Sequence, residues 1–253
     1  MVPVHYGGFS CDMEKLVKLC DEQEIFVVED CAQGLGSNFR GKSLGTFGKI
    51  GAISFHETKN IHCGLGGCII INDETLYDRS EIVWERGTNR SEFFKGIVDK
   101  YTWKEVGSSF YPTELQAAFL LAQLERISEN MEHRKYLWEA YSEGLYDLEK
   151  EGTIGVLRGI DGSEGNAHMF SIILRSREEA DALRKSLNSE GVQAVIHYVP
   201  LHDSPVGTSL GYSANDLPVT IEMASRIIRL PLHNNLQLKD CSEVVDRVIT
   251  ALA

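Results

Sequence analysis

Residues 50–67 read IGAISFHETKNIHCGLGG and place a lysine between an apolar run and a glycine-rich turn. The apolar run predicts a buried β-strand. Lysine side chains usually keep their charge in water, whereas Lys59 follows a strand end, where open α/β sheets bind their ligands. A partly desolvated amine has a lowered pKa and can attack a carbonyl, so Lys59 is a candidate nucleophile. The alternative is a surface lysine in a turn.

A second predicted strand ends in an acid. Residues 25–30 read IFVVED and predict a buried parallel strand that closes with Asp30. Asp30 taken alone is equally well explained as a helix cap or a salt-bridge acid. Together with Lys59 it matches the needs of pyridoxal phosphate enzymes, which use a lysine to bind the cofactor and an acid to keep its ring nitrogen protonated. Two consecutive strand ends would bring both groups to one rim of the sheet.

The remaining pattern predicts a layered α/β protein with two domains. Residues 66–72 form a third strand of the same buried kind, and helices are predicted at 9–24, from Asp73 to Gly87 and from Thr113 to about residue 150, with a break near 128–131. The core-facing stripe of the long helical segment comprises Leu115, Ala118, Phe119, Ala122 and Leu124. Beyond Gly152, strands at 167–174 and 192–199 and helices at 176–191, 220–229 and 238–253 predict a smaller α+β domain. We expect a large domain over residues 1–134 and a small domain over 135–253.

The amino-acid composition argues against several classes of function for this protein. The chain of 253 residues is 43% hydrophobic and 25% charged, which is typical of a globular protein. Its net charge of −12 argues against a nucleic-acid partner. Six scattered cysteines without C-x-x-C spacing predict reduced thiols in a cytoplasmic protein and no metal site. Neither a long apolar run nor a signal peptide is recognisable, so we expect no membrane partner.

Three segments carry a family resemblance. VVEDCAQGLGS (27–37), GTFGKIGAISFHETKN (45–60) and GLGGCIIIND (64–73) resemble the sugar-nucleotide aminotransferases of the DegT/DnrJ/EryC1/StrS family. The resemblance extends over essentially the whole chain and implies the fold of aspartate aminotransferase, fold type I, with pyridoxal 5′-phosphate as cofactor. HETKN (56–60), RGTNRSEFFKG (86–96), DKYTWKEVGSS (99–109) and AHMF (167–170) are most similar to the dTDP-4-amino-4,6-dideoxygalactose transaminases. Those enzymes aminate dTDP-4-keto-6-deoxyglucose with glutamate as the donor.

The same resemblance assigns roles to individual residues. Lys59 matches the lysine that binds the cofactor covalently, and Asp30 matches the acid paired with the pyridine nitrogen. Gln33 matches the residue beside the phenolic oxygen, and Ser54 matches a hydroxyl that helps to bind the phosphate. Relatives with histidine at the lysine position catalyse dehydration, so Lys59 indicates amino transfer.

Further residues are weaker candidates for substrate binding. They are His56, Trp103, Ser108, Ser109, His197, Tyr198 and His202. His56 is as well explained by a hydrogen bond to a nearby backbone group, and structural packing is the better explanation for at least one residue of the segment IHYVPLH (196–202).

The resemblance also implies that a part is missing. Full members of the family carry roughly a third of their chain before the PVH stretch, including the helix start that holds the cofactor phosphate. We therefore expect a truncated large domain with exposed apolar edges and weak cofactor retention. The expected assembly is a homodimer. Two alternatives stay open: an aminotransferase for another keto-sugar nucleotide, and a non-catalytic module that binds a sugar nucleotide.

Overall fold

The structure is a computed structural model that describes every residue of the chain, and the chain divides into two units. The first unit comprises Met1–Ile127 and Ile160–Gly165, and the second comprises Ser128–Gly159 and Asn166–Ala253. The boundary predicted between residues 134 and 135 lies inside the helix Ile127–Gly144. The roles of the two units as a cofactor-binding domain and a small domain stay predictions.

The secondary structure alternates between short strands and helices. The strands are β1 (Val28–Asp30), β2 (Asn38–Phe39), β3 (Lys42–Ser43), β4 (Ile50–Ser54), β5 (Gly67–Ile71), β6 (Ile154–Val156), β7 (Ser163–Glu164), β8 (Phe170–Leu174), β9 (Val195–Ile196) and β10 (Ile227–Leu230). The helices are α1 (Met13–Glu22), α2 (Tyr77–Trp84), α3 (Arg90–Phe94), α4 (Glu114–Leu124), α5 (Ile127–Gly144), α6 (Tyr146–Lys150), α7 (Arg177–Ser189), α8 (Pro205–Ser209), α9 (Pro218–Arg226) and α10 (Leu238–Leu252). No helix has both the length and the apolar composition that crossing a bilayer requires.

The central sheet of the first unit has the order β1-β4-β5. Strands β1 and β4 are parallel as predicted, with Asp30 beside Ala52. The prediction for β5 was wrong, because this strand runs antiparallel to β4 and Ile69 is 59% exposed. The loop of residues 55–66 returns the chain directly alongside β4, whereas a parallel neighbour needs a longer crossover connection.

Helix α1 forms where the apolar periodicity predicts it. The Asp12 side chain accepts the hydrogen bond of the Lys15 backbone N–H and begins the helix. Met13 and Cys20 are buried on its inner face and pack in a core with Val27, Cys31, Phe39 and Leu44. This core lies directly under the strand that carries Asp30.

The segment that follows β5 is less regular than the sequence predicts. A 3₁₀ turn at Glu74–Leu76 precedes α2, and the Asp73 side chain caps that turn as the helix start predicted there. Residues 88–112 contain only the short helix α3 and are otherwise irregular, in agreement with their lack of a hydrophobic period.

Helix α4 corrects one prediction and confirms another. The helix begins at Thr113 as predicted, and Thr113 forms a capping box with Gln116 there. The predicted core-facing stripe is wrong: α4 has no buried residue, and Leu115 is 84% exposed. The break before α5 lies at residues 125–126 rather than at 128–131. No other element of the first unit covers the apolar face of α4, so these side chains stay exposed although they recur at helical spacing.

The second unit contains an antiparallel sheet of order β6-β8-β10-β9. Its core includes the aromatic cluster of Phe170 with Tyr141 and Trp138, whose ring centroids lie 4.9 Å and 5.3 Å from that of Phe170. Residues 227–229 were predicted as the end of a helix and instead belong to β10. Ile228 pairs with Ile172 in the middle of the sheet and is fully buried, which stabilises the extended conformation over the helix.

Candidate active site

The carboxyl ends of β1 and β4 form one rim of the central sheet. The parallel pairing continues one residue past β1, since the Cys31 backbone N–H donates to the Ala52 carbonyl oxygen at 2.8 Å. At the end of β1 the Asp30 Oδ1 accepts a hydrogen bond from the Ala32 backbone N–H at 3.0 Å. This contact fixes the carboxylate at the rim, where open α/β sheets bind their ligands.

Lys59 lies in the loop between β4 and β5, and backbone hydrogen bonds join the two ends of this loop. The Phe55 N–H donates to Gly66 and the Glu57 N–H donates to Gly64, each over 2.8 Å, so the β4–β5 pairing extends into the loop. The residues after Lys59, Asn60 and Ile61, are buried and anchor the loop. Lys59 is therefore held at the strand end rather than on a mobile surface turn.

The charge environment of Lys59 suits a nucleophilic amine. Burial lowers the pKa of Lys59, and the nearby Asp30 carboxylate opposes this effect by stabilising the ammonium form. Burial prevails, so the amine loses its proton more readily than an exposed lysine does. The structure thus brings Lys59 and Asp30 within electrostatic reach of each other, while their catalytic roles stay predictions.

Gln33, Ser54 and His56 lie on the segments that follow these two strands. The Gln33 Oε1 accepts a hydrogen bond from the Gly7 backbone N–H at 2.6 Å, which orients its amide group. The Ser54 Oγ accepts from the His56 N–H at 3.2 Å and keeps its own proton for donation. His56 Nδ1 contacts the Thr58 hydroxyl at 3.1 Å, a local bond that favours the structural explanation of this histidine.

These side chains fit pyridoxal phosphate in the chemistry of their donors. An amine of lowered pKa suits the aldehyde carbon, a carboxylate suits the protonated ring nitrogen, and an oriented amide suits the phenolic oxygen. The Ser54 hydroxyl adds a donor for the phosphate. Lys59, Asp30, Gln33 and Ser54 are therefore the residues that could hold this cofactor.

The candidates in the irregular segment have other neighbours. Trp103 is 76% exposed, and its indole N–H donates to the Glu105 carbonyl oxygen at 2.6 Å. Ser108 donates its backbone N–H to Val83, and Ser109 forms a bridge with Glu85. Ser108 and Ser109 are thus joined to the end of α2, whereas the bond of Trp103 stays within its own segment. Substrate contact by these residues stays a prediction.

In the second unit, His197, Tyr198 and a residue missed by the sequence analysis form a cluster. The Arg229 guanidinium carbon lies 5.5 Å from the centroid of the Tyr198 ring, and the His197 ring lies 5.9 Å from that ring. Burial, assisted by the Arg229 charge, lowers the pKa of His197 to about 4. His202 is separate and has a buried Nε2 without a protein partner. Arg229 was missed because its strand was predicted as a helix; a lone arginine within IIRL was the available signal.

The second acid of the VVED segment was also missed, and the structure gives it an unusual environment. Glu29 is fully buried, and its two carboxylate oxygens accept four hydrogen bonds. Oε2 accepts from His5 Nε2 at 3.0 Å and from the Gly45 N–H at 2.9 Å. Oε1 accepts from the Phe47 N–H at 2.6 Å and the Gly48 N–H at 2.7 Å. We name these five residues the Glu29 cluster.

The Glu29 cluster gives a pH prediction for stability. Burial raises the pKa of Glu29, but the hydrogen bonds from His5, Gly48, Gly45 and Phe47 outweigh it and lower that pKa below the ordinary 4.5. The unfolded chain then binds a proton before the folded one, so this stabilisation is present above pH 4.5 and is lost as the pH falls further. We expect the free energy of unfolding to fall there by up to about 1.4 kcal/mol per pH unit.

Urea denaturation between pH 6 and pH 3 measures this effect, with Glu29→Gln as the comparison. The stability difference between the wild-type protein and the variant should shrink toward acid pH, because glutamine has no proton to gain. A difference that stays constant over this range would contradict the assignment.

Comparisons with known proteins show the family of the chain. The sequence model of the DegT/DnrJ/EryC1/StrS aminotransferase family matches residues 1–249. GDP-perosamine synthase of Escherichia coli O157:H7 is 32% identical over 232 residues, which are 90% of this chain and 58% of that enzyme. The dTDP-3-amino-3,4,6-trideoxy-alpha-D-glucose transaminase of Streptomyces venezuelae is 29% identical over 250 residues, 98% of this chain and 62% of the enzyme.

Solved structures show the same fold. DesV of S. venezuelae, in complex with a ketimine intermediate, superposes with a TM-score of 0.88 at 29% identity over 99% of this chain and 64% of that chain. An aminotransferase of the same family from Brucella abortus gives a TM-score of 0.84 at 29% identity, over 98% and 63%. The chain thus spans less than two thirds of the length of these relatives. It belongs to the DegT/DnrJ/EryC1/StrS aminotransferase family and has the aspartate aminotransferase-like fold type I.

Proposed function

We propose that this protein is a pyridoxal 5′-phosphate-dependent aminotransferase that transfers an amino group from an amino acid to a keto-sugar nucleotide. The observation that carries the proposal is the Lys59 amine, which burial gives a lowered pKa and which lies within electrostatic reach of the Asp30 carboxylate. Membership in a family of aminotransferases supports the same chemistry.

Each residue of the rim has a distinct task in this reaction. The cofactor supplies an electron-withdrawing ring that stabilises negative charge at the carbon next to the transferred nitrogen. Lys59 would hold the cofactor through Nζ, and its amine would move the proton between the α-carbon of the donor or the sugar carbon and the cofactor. Asp30 would keep the ring nitrogen protonated. Gln33 would donate to the phenolic oxygen, and Ser54 would donate to the phosphate.

Borohydride reduction tests the proposal directly. Reduction of the holoenzyme should fix the cofactor to its lysine, and peptide mapping should locate the label on Lys59. The neighbouring exposed Lys42 and the partly exposed Lys49 serve as internal comparisons within the same unit. A label on any residue other than Lys59 would exclude the proposed site.

For the substrate we propose dTDP-4-keto-6-deoxyglucose with L-glutamate as the donor, giving dTDP-4-amino-4,6-dideoxygalactose for polysaccharide assembly. The resemblance at 56–60, 86–96 and 99–109 supports this choice. Relatives named for GDP-linked and dTDP-linked sugars make the nucleotide carrier the main variable. Turnover on a panel of dTDP-, UDP- and GDP-linked keto-sugars should be fastest with the dTDP substrate; a preference for another carrier identifies an aminotransferase of different specificity.

A non-catalytic sugar-nucleotide-binding module is the second candidate. Calorimetry distinguishes the two. An aminotransferase should need the cofactor for tight binding of the keto-sugar, whereas a module should bind a dTDP-sugar equally well without it.

We further propose a homodimer in the cytoplasm. The exposed apolar side chains of α4, among them Leu115 and Phe119, support a surface that another protein chain or segment covers. The six free cysteines support a reducing compartment. Light scattering of the purified protein measures the mass, and a monomer at micromolar concentration would contradict the dimer.

A further inference from the structure

The Glu29 side chain lies on the opposite face of β1 from the Asp30 side chain. Successive residues of a strand point to opposite faces, so Glu29 points away from the face to which Asp30 points. Burial of a carboxylate is unfavourable unless hydrogen bonds replace its contacts with water, and four donors supply such bonds to Glu29. The side chain therefore connects β1 firmly to the two segments that supply those donors.

The first of these segments leads into β4. Gly45, Phe47 and Gly48 belong to the turn before β4, and their three N–H groups point at Glu29. A Cβ on Gly48 would lie 2.5 Å from the Val27 carbonyl oxygen, so the turn approaches β1 as closely as a backbone can. Glu29 thereby fixes the position of β4 relative to β1, and with it the distance between Asp30 and the loop of Lys59.

The second segment, which contains His5, also supplies the hydrogen-bond donor of Gln33. His5 donates to Glu29 through Nε2, and its backbone N–H donates to the Asp30 carbonyl oxygen at 3.0 Å. Two residues later, Gly7 has a φ of 67°, a conformation that favours glycine, and its N–H contacts the Gln33 Oε1. The position of His5 thus determines where the amide of Gln33 is held.

We infer that Glu29 and His5 are positioning residues for the candidate active site: Glu29 fixes the strand end of Asp30, and His5 fixes the turn that orients Gln33. This inference rests on the proposed function. Both residues act through Asp30 and Gln33 and touch neither cofactor nor substrate.

A metal site is the competing explanation for the same residues. His5, Glu29 and Cys31 offer ligand atoms that all lie within 4.8 Å of one another, and the three types of donor suit zinc. Both oxygens of Glu29, however, already accept hydrogen bonds from backbone N–H groups, which a metal ion would have to displace. The hydrogen-bonded arrangement is therefore the one that the geometry favours.

Glu29→Gln in the holoenzyme tests the inference. The glutamine would place an NH2 group where one carboxylate oxygen now accepts hydrogen bonds from N–H groups. Because two donors cannot bond to each other, at least one hydrogen bond of the cluster is lost. We expect the dissociation constant of pyridoxal phosphate to rise about 10- to 100-fold, the range typical of residues that orient ligand-binding side chains. The pH midpoint of the bound cofactor's absorbance should also shift, because Asp30 no longer holds its position.

His5 gives a second test by rescue. His5→Ala removes the side-chain contact and should weaken cofactor binding, whereas His5→Gln keeps a hydrogen-bond donor at similar reach and should restore most of it. If the histidine had a purely structural role, His5→Ala and His5→Gln would not differ in the pH midpoint of the cofactor's absorbance.

Met13→Ala is the matched control. Met13 is fully buried in the same unit and leaves a cavity when shortened, so this variant loses thermal stability without removing any hydrogen bond of the Glu29 cluster. The inference is overturned if Glu29→Gln and Met13→Ala lose similar stability and both bind the cofactor with the wild-type constant and spectrum.

Hydrogen exchange separates this inference from the proposed function and also covers a variant too unstable for assay. In the protein without cofactor, the amides of Gly7, Gly45, Phe47 and Gly48 should be protected, and His5→Ala or Glu29→Gln should expose them together. Exchange of Gly7 unaffected by either substitution would overturn the inference. If the unmodified protein captures no cofactor while these amides respond, the proposed function fails and the connection between the segments stands.

Discussion

Replacing Lys59 with alanine will abolish amino transfer, with kcat at least about 10⁴-fold below that of the wild-type holoenzyme. The substitution removes both the nucleophile that holds the cofactor and the amine that moves the proton. Lys59→Arg should be as inactive, because a guanidinium stays charged at every accessible pH and cannot act as the nucleophile. The absorbance of the bound cofactor and the steady-state rate with glutamate measure both losses.

Lys18→Ala is the control for this experiment. Lys18 is an exposed lysine on α1 of the same unit, so its removal should change neither the absorbance nor the rate. Wild-type activity in Lys59→Ala would refute the assignment of the nucleophile and with it the proposed reaction.

Asp30→Asn will lower kcat by about 10²- to 10³-fold while the fold is retained. Asparagine keeps an oxygen that can accept the hydrogen bond now made by the Ala32 N–H, so the strand end should not move. The negative charge that keeps a proton on the ring nitrogen is lost, and the ring then withdraws electrons poorly. The rate of the half-reaction with glutamate and the spectrum of the bound cofactor are the measurements.

The comparison for Asp30→Asn is Asp21→Asn, which removes the same charge from an exposed position of α1. It should leave kcat unchanged, which separates the local effect of Asp30 from the change in net charge. Equal rates for the two variants would mean that Asp30 does not act on the cofactor.

Local sequence signals predicted the elements around the rim. The helix start at Thr113, the parallel pairing of β1 with β4 and the apolar face of α1 all follow from patterns within a few residues. Such patterns succeed because capping, strand alternation and helix periodicity are set by neighbouring residues.

Burial and strand direction could not be predicted in the same way. The apolar stripe of α4 has a helical period, yet no residue of the helix is buried, since burial depends on what packs against it. Strand β5 runs antiparallel because its connection is short, and Ile227–Leu230 form a strand because β8 and β9 flank them.

The sequence by itself determined the family and the fold class through the resemblance of three contiguous segments, and it gave Lys59 and Asp30 as candidate nucleophile and acid because each follows a predicted strand. Only the tertiary structure decided which hydrogen bonds keep the segments of Lys59 and Asp30 in place. Four donors from two segments distant from Glu29 in sequence converge on its buried carboxylate, and no local pattern specifies such convergence. Hydrogen bonds between distant segments form only once the chain has folded, so the support of the site became visible in three dimensions alone.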